Sequence, residues 1–298
     1  MRVTACGVNF VDGLIVQGLY QIKPSLPFVA GGEVAGVIVE VGSSVTGFAL
    51  GDRVMAATLF GGFADEVVVD SRQLLATPDE LTDGQAATFT QSYMTAYFAL
   101  HHRARLQAGQ WALVLGAGGG VGLAAVDVAT AMGVRVIAAA SSEAKREAAM
   151  QRGAVAVIDT STQDLKTTTR ELTKLLGDGA DGVDAVYDPV GGDRGEEALR
   201  TLREDGQLLI IGFASGRIPQ LPANQVLLRN RRVTGVDWGA FAGRNPTANR
   251  QLLLELLSMV ATGALSPAEP TTYPLSDAAQ ALQQQLDGAV VGKVALIP

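Results

Sequence analysis

The chain has 298 residues, of which 48% are hydrophobic and 18% charged, and a net charge of -7. That length gives a prior of about two domains, the composition excludes a disordered chain, and the negative balance argues against nucleic-acid or anionic-membrane surfaces. One cysteine, Cys6, and two adjacent histidines, His101 and His102, exclude an intrachain disulfide and a four-cysteine zinc lobe, and leave no separated His and Cys ligands for a catalytic zinc.

Thirty-five glycines against 9 Phe, 5 Tyr and 2 Trp point to a tightly turned α/β protein rather than an aromatic-rich sandwich. Residues 1–20 carry Asn9 and Asp12 where a signal peptide needs its apolar stretch. The longest apolar segment, 111–140, is broken by glycines, Asp127 and Arg135 before it reaches the roughly 18 residues of a membrane span. A soluble, cytoplasmic protein is therefore expected.

Residues 1 to 75 read as short strands and turns. The runs 36–42 and 63–69 are β-branched and bounded by Gly or Asp, and glycines at 31, 32, 42, 47, 51, 61 and 62 supply closely spaced turns, as a small β-barrel requires. From 83 to 102 the sequence suits one or two helices. A strand at 111–115 then runs into Gly116-Ala117-Gly118-Gly119-Gly120-Val121-Gly122, followed by an apolar helix from 123. Strands are predicted at 134–140, 155–158, 183–188, 207–212 and 232–236, with helices near 142–152, 163–176 and 193–203 among them. Strands alternating with helices indicate βαβ units in a doubly wound parallel sheet. A helix over 247–261, another over 276–286 and a strand at 293–297 finish the chain, and this tail is expected to return to the first domain.

The glycine turn carries the most chemistry. Ala117-x-Gly119-x-x-Gly122 is a dinucleotide fingerprint with Ala at its first position, between a strand and a helix. Glycine at 119 lets the backbone approach a pyrophosphate, glycine at 122 lets helix and strand pack, and the helix N-terminus faces the phosphate charge. About 20 residues on, where an NAD enzyme places a carboxylate on the ribose, this chain has Ala140, Ser141 and Ser142, with Lys145 and Arg146 one turn later. Hydroxyls and a cation suit a 2′-phosphate, so NADPH is preferred over NADH. The alternative is that a serine only caps the helix and the two cations form a solvated face.

Ala5-Cys6-Gly7-Val8-Asn9-Phe10-Val11-Asp12, Gly18-Leu19-Tyr20, Pro27-Phe28-Val29-Ala30-Gly31-Gly32-Glu33, Gly51-Asp52-Arg53-Val54 and Gly61-Gly62-Phe63-Ala64, then Thr95-Ala96-Tyr97, the glycine turn, Tyr187-Asp188-Pro189-Val190-Gly191-Gly192 and Gly292-Lys293-Val294 together resemble the medium-chain dehydrogenase/reductase superfamily. Within it they look like the zinc-independent, zeta-crystallin-like quinone oxidoreductases. The resemblance covers essentially the whole chain. It implies a GroES-like β-barrel substrate domain (1–92 and 264–298), a Rossmann NADPH-binding domain (93–263), a cleft where they meet, and a homodimer through the sheet edge near 232–236. It also implies that Asn9 and Thr95 lie near the nicotinamide, that Ala117, Gly118, Gly119, Gly120, Val121, Ser141, Ser142 and Lys145 hold the phosphates, and that Gly212, Phe213, Ala214 and Lys293 line the cofactor cleft.

The zinc branch carries Cys where this chain has Asn9 and His where it has Gly32, while Glu33 is retained and is expected to hold a loop by hydrogen bonds. A bound zinc would stabilise developing charge by several kcal/mol. Without it, the acceptor must be electron-poor already, which selects quinones and α,β-unsaturated carbonyls. Asn9 can donate to the reduced oxygen, and one preorganised donor is worth roughly 2.7–4 kcal/mol; the alternative is an Asn that stabilises a turn. Asp12 and Tyr20 match substrate-cleft positions, with a structural role for Asp12 as the alternative, and a tyrosine present in some relatives is Leu14 here. His101 and His102 are expected to supply helix-end charge, Cys6 to be a small buried hydrophobe, and Trp238 and Phe241 to shape a pocket or a dimer surface.

Relatives carry about 25–30 residues before the segment at Cys6, which leads to the expectation that the opening strands of the first domain are missing, with an exposed sheet edge as the consequence. The functions carried forward are an NADPH-dependent quinone or enone reductase, an enoyl-thioester reductase of the same superfamily, and a non-catalytic NADPH-binding interaction module.

Overall fold

The computed structural model describes residues 1–177 and 180–298. The chain divides into two units, one made of Met1–Gln91 with Ser266–Pro298 and the other of Ser92–Leu265. Among the described residues no helix is long and apolar enough to cross a membrane.

The first unit opens with β1 (Arg2–Val8), β2 (Glu33–Val37), β3 (Arg53–Ala57) and β4 (Leu74–Ala76). The second contributes β5 (Trp111–Leu115), β6 (Arg135–Ala140), β7 (Ala156–Asp159), β8 (Val183–Asp188), β9 (Leu202–Ile210) and β10 (Arg232–Gly235). The chain then adds β11 (Thr271–Pro274) and β12 (Val294–Ile297) to the first sheet, whose order is β11-β12-β1-β2-β3-β4. Its pairs are antiparallel except β11 with β12. Strand β1 is buried along most of its length because it has a neighbour on each side: Cys6 pairs with Val34 of β2 and with Leu296 of β12. Val3, Val8, Val34, Val54 and Val294 join Cys6 in its core.

Two strand predictions here shift. The run expected at 36–42 pairs only as Glu33–Val37, because its register is set by β1 and β3, which face residues 33–37. The run at 63–69 forms no ladder: it is joined to the N-terminus by one bridge, Arg2 with Glu66, and by the amides of Val3 and Val67. β-Propensity alone does not make a strand where only two or three residues are available to pair.

The second sheet is wholly parallel, in the order β10-β9-β8-β5-β6-β7. From β5 outward the chain adds β6 and β7 on one side and then β8, β9 and β10 on the other, which is the Rossmann order with its crevice between β5 and β8. Every residue of β5 and of β8 is buried, as expected for strands covered on both faces. Strand β9 begins at Leu202, five residues before the predicted 207. The pairing jumps from Leu202–Val183 to Gln207–Ala185, so the intervening residues bulge, with Asp205 at φ 59. An Asp-Gly pair reads as a turn in sequence, and here it makes the bulge.

Gly36 shows how tight the first sheet is. A Cβ there would lie 2.0 Å from the carbonyl oxygen of Arg2. Gly36→Ala is expected to cost about 1–3 kcal/mol, lowering the melting temperature by several degrees, whereas Gly235→Ala, with no atom within 4 Å of its added Cβ, should leave it unchanged in the same scan.

Candidate functional site

At the end of β5 the chain turns at Gly116, φ 57, a left-handed conformation that glycine adopts without a Cβ penalty. A Cβ at Gly122 would lie 2.2 Å from the Gly116 oxygen, so glycine there lets the helix Gly120–Ala131 start against its own strand. Gly119 is different. Its added Cβ would meet nothing nearer than the Gly116 oxygen at 3.5 Å. The fold does not require glycine at 119, and the space before it is what a phosphate approaching the backbone would need. Gly119 is also the N-cap, and no side chain caps this helix, which leaves its first amides for an anion.

Gly118 packs on the other side of the turn, where an added Cβ would fall 2.3 Å from Cβ of Lys145. Lys145 belongs to the helix Glu143–Gln151 after β6. Ser142 stands at that helix's N-cap, yet its hydroxyl does not cap it, and Ser141 and Ser142 are exposed. The simple capping alternative is thus not what forms. Arg146 is committed elsewhere: its Nη1 donates to the oxygens of Ala140 and Ser141 and pairs with Asp159 at 3.1 Å. Lys145 is the cation whose stem lies on the glycine turn.

The loops after β8 and β9 join this edge of the sheet. Gly116's added Cβ would be 3.1 Å from Val190, and Gly191's would be 2.9 Å from the Phe213 ring. The amides of Gly212 and Ala214 donate to the oxygens of Asp188 and Pro189. Gly212, Phe213 and Ala214 therefore sit beside the glycine turn at the carboxyl ends of the strands. Asp188, which sequence reasoning did not single out, anchors that loop: its buried Oδ1 accepts from the amides of Val190 and Gly191 at 2.9 and 2.8 Å. Burial pushes its carboxyl up, with those two amides opposing. The signal was available as an Asp immediately before a Pro-Val-Gly turn. Thr95 is half-buried on the helix Thr90–Tyr97.

In the first unit, neighbouring strands bring a second polar group together. Gly7 of β1 pairs with Glu33 of β2, and Val8 with Val294 of β12, so Asn9, Glu33 and Lys293 emerge side by side. Lys293 Nζ donates to Asn9 Oδ1 at 2.5 Å and to Glu33 Oε1 at 3.4 Å. Asn9 Nδ2 donates to Glu33 Oε1 at 2.9 Å, and the amide of Gln91 donates to Glu33 Oε2 at 2.8 Å. An ammonium on one side and a carboxylate on the other fix the orientation of the Asn9 amide, leaving one N–H beyond these bonds. Glu33, 0% exposed, ties the strand to the backbone at Gln91 as well.

Asp12 lies on the helix Phe10–Val16, and its Oδ2 accepts from the amide of Asn9 at 2.7 Å. Burial, opposed by the Asn9 amide and Lys293 and assisted by the charge of Glu33, holds its carboxyl up at about 7. Tyr20 is half-buried on a bend after this helix, and no hydrogen bond joins it to Asn9 or Asp12. Cys6 is 0% exposed, with Sγ donating to the Glu33 carbonyl.

The histidines stand in the last turn of a helical segment, as expected. They fall in the π-helical turn Phe98–Arg103, His101 stacked on Tyr97 and His102 on Phe98. Burial, Arg103, Arg105 and His101 lower the His102 imidazole's affinity for a proton. Phe241 packs against Phe98 and His102, and Trp238 Nε1 donates to Asn249. Among the described residues no group of three His, Cys, Asp or Glu side chains is arranged to hold a metal ion.

A model of the alcohol dehydrogenase GroES-like domain matches residues 1–79, and one of zinc-binding dehydrogenases matches 120–258. Quinone oxidoreductase-like protein 2 of Bos taurus is 38% identical over 297 residues, covering 99% of this chain and 84% of that protein. The chain belongs to the medium-chain dehydrogenase/reductase superfamily, in its quinone oxidoreductase branch. It is an oxidoreductase, and residues 1–79, within its first unit, match the GroES-like domain of that family. Among solved structures, the Escherichia coli quinone oxidoreductase complexed with NADPH is similar at TM-score 0.87 and 30% identity, over 100% of this chain and 90% of that one. The CurK enoyl reductase is similar at TM-score 0.87 and 27% identity, with the same coverage.

Two outcomes test the geometry of this oxidoreductase. Gly119→Ala should leave the melting temperature unchanged and weaken dinucleotide binding at least about tenfold, a loss of about 1.4 kcal/mol, while Gly122→Ala should destabilise the fold itself. For Asp12, the folded protein keeps a proton between pH 4 and 7 that the unfolded chain, with its ordinary carboxyl near 3.8, gives up. Its contribution is therefore present at low pH and lost as pH rises toward 7. Asp12→Asn should flatten this fall in the urea midpoint measured at pH 4.5 and pH 8.

Proposed function

We propose that this oxidoreductase is an NADPH-dependent, zinc-independent reductase of quinones and α,β-unsaturated carbonyls. The observation that carries the reading is the glycine turn: an open approach at Gly119, an uncapped helix, no carboxylate at the end of β6, and the stem of Lys145 against Gly118. NADPH, when bound, supplies the hydride. Gly118, Gly119, Gly120 and Val121 with Ala117 would hold the pyrophosphate through backbone amides. The hydroxyls of Ser141 and Ser142 and the ammonium of Lys145 would take the 2′-phosphate. Gly212, Phe213 and Ala214, from the loop anchored by Asp188, complete the wall of the crevice, and Thr95 is assigned to the nicotinamide side.

In the other unit, Asn9 would turn its remaining N–H to the substrate oxygen and stabilise charge as it develops there. Lys293 and Glu33 orient that amide, and their fixed dipoles need no reorganisation when charge appears. Asp12 is a positioning residue: its carboxyl holds the Asn9 backbone. Tyr20 is assigned to the substrate surface only. With Asn9 and Gly32 where the zinc branch has Cys and His, the electrophilic help comes from one hydrogen-bond donor, and this favours acceptors that delocalise charge themselves. The exposed edge strand β10, with Val233 43% accessible, is proposed as the homodimer seam.

A second reading, an enoyl-thioester reductase, is favoured by the likeness to the CurK enoyl reductase. Steady-state turnover of 1,2- and 1,4-quinones, enones and an enoyl thioester with NADPH and NADH separates the two. Quinone turnover with NADPH is the expected result; turnover of the thioester alone supports the second reading, and NADPH binding without any turnover would overturn both. Lys145→Glu is expected to weaken NADPH at least about tenfold more than NADH, and equal losses would remove the 2′-phosphate assignment.

A further inference from the structure

A groove of about 480 Å³ lies outside the glycine-turn crevice, lined by Lys166, Arg170, Arg200, Arg229 and Arg231 together with Asn224. Arg170 lies on the helix Leu165–Leu176, Arg200 stands just before β9, and Arg231 stands just before β10. Arg200 and Arg231 therefore mark the amino ends of the strands, while the glycine turn lies at the carboxyl end of β5. Five cations line this groove in a chain of net charge -7. Among the described residues no carboxylate lines it, and one carboxylate, Asp181, makes ion pairs with its arginines: 3.7 Å to Arg170 and 3.3 Å to Arg229, while also serving Lys174 at 3.6 Å.

Arg231 is the second, independent observation. It is 8% exposed. Its Nη2 donates to the Leu202 oxygen at 2.5 Å and its Nη1 reaches the Gln225 oxygen at 3.4 Å, but its buried Nε has no acceptor. The buried Nε of Arg170 has none either. Burial and the charges of Arg229 and Arg170 lower the guanidinium's affinity for its proton, which is the signature of cations gathered without enough countercharge. Those two Nε atoms are closed off from the groove, but the exposed guanidinium edges of Arg200 and Arg229 face it, and an anion accepting from them would relieve the crowding of like charge.

We propose that this groove is a binding site for a small anion bearing two phosphoryl groups, a diphosphate or bisphosphate metabolite. Guanidinium forks match phosphoryl oxygens in geometry, and a volume of about 480 Å³ falls in the range of small-ligand sites. The acidic balance of the rest of the surface opposes a polymeric polyanion and favours a compact one.

Calorimetric titration with inorganic pyrophosphate is the test, with orthophosphate and citrate as comparison probes. One equivalent of pyrophosphate should bind to the wild type, tighter than either comparison anion. The double variant Lys166→Gln/Arg200→Gln removes two exposed side chains and should bind it at least about tenfold more weakly with an unchanged melting temperature in the absence of anion. Lys145→Glu and Gly119→Ala, which alter the glycine turn, should leave it bound as before. Absence of binding, binding that survives the double variant but fails in Lys145→Glu, or equal affinity for citrate would each overturn the proposal. None of these outcomes depends on which substrate the enzyme reduces.

Discussion

An ammonium and a carboxylate taken out of water must find each other, and the first unit is built around that necessity. Glu33 and Lys293 are 0% and 7% exposed; either one alone would carry a desolvation penalty of several kcal/mol. They meet because β12 pairs with β1 on the flank opposite β2, so the far end of the chain is recruited to neutralise a charge placed near its beginning. Asn9 lies between them and inherits a fixed orientation from both. The amide that would face a substrate is thereby held by electrostatics and by three strands at once, and its own helix contributes the backbone tie to Asp12.

The second unit solves a different problem with backbone rather than charge. Its glycines are not interchangeable. Gly116 supplies a left-handed turn, Gly122 admits the helix against the strand, Gly118 admits the stem of Lys145, and Gly119 leaves room that no atom of the chain fills. Asp188 extends the same edge by folding the next loop onto its own carboxylate. The crevice is thus formed by close backbone approaches at the carboxyl ends of β5, β6, β8 and β9.

What could be read from the sequence follows from range. The parallel strands were legible because a strand covered on both faces is a continuous apolar run, as at 111–115 and 183–188, and because the glycine turn announces itself locally. Strands whose limits depend on a partner were not: β2 is cut by its register with β1, the 63–69 run has too little to pair with, and β9 hides a bulge behind an Asp-Gly pair. Of the candidate site, the glycine turn lies within one βαβ unit, and its place between strand and helix could be read from spacing. The Asn9–Glu33–Lys293 group spans nearly the whole chain, and no periodicity reports it; only the resemblance drew attention to Asn9 and Lys293. The stacking of His101 on Tyr97 and of His102 on Phe98 was not legible, because those rings become neighbours only through the helical turn.

The contact between Gly118 and Lys145 ties recognition to architecture. The cation proposed to discriminate between the two nicotinamide cofactors packs its stem against the turn proposed to hold the part they share. Because the approach is made by Cα, Cβ and Cγ of Lys145, any side chain with those atoms would lie against the turn at this position, and residue 118 has no room for a Cβ whichever charge stands at 145. One close backbone approach thus constrains two segments that lie far apart in the chain, the turn after β5 and the helix after β6.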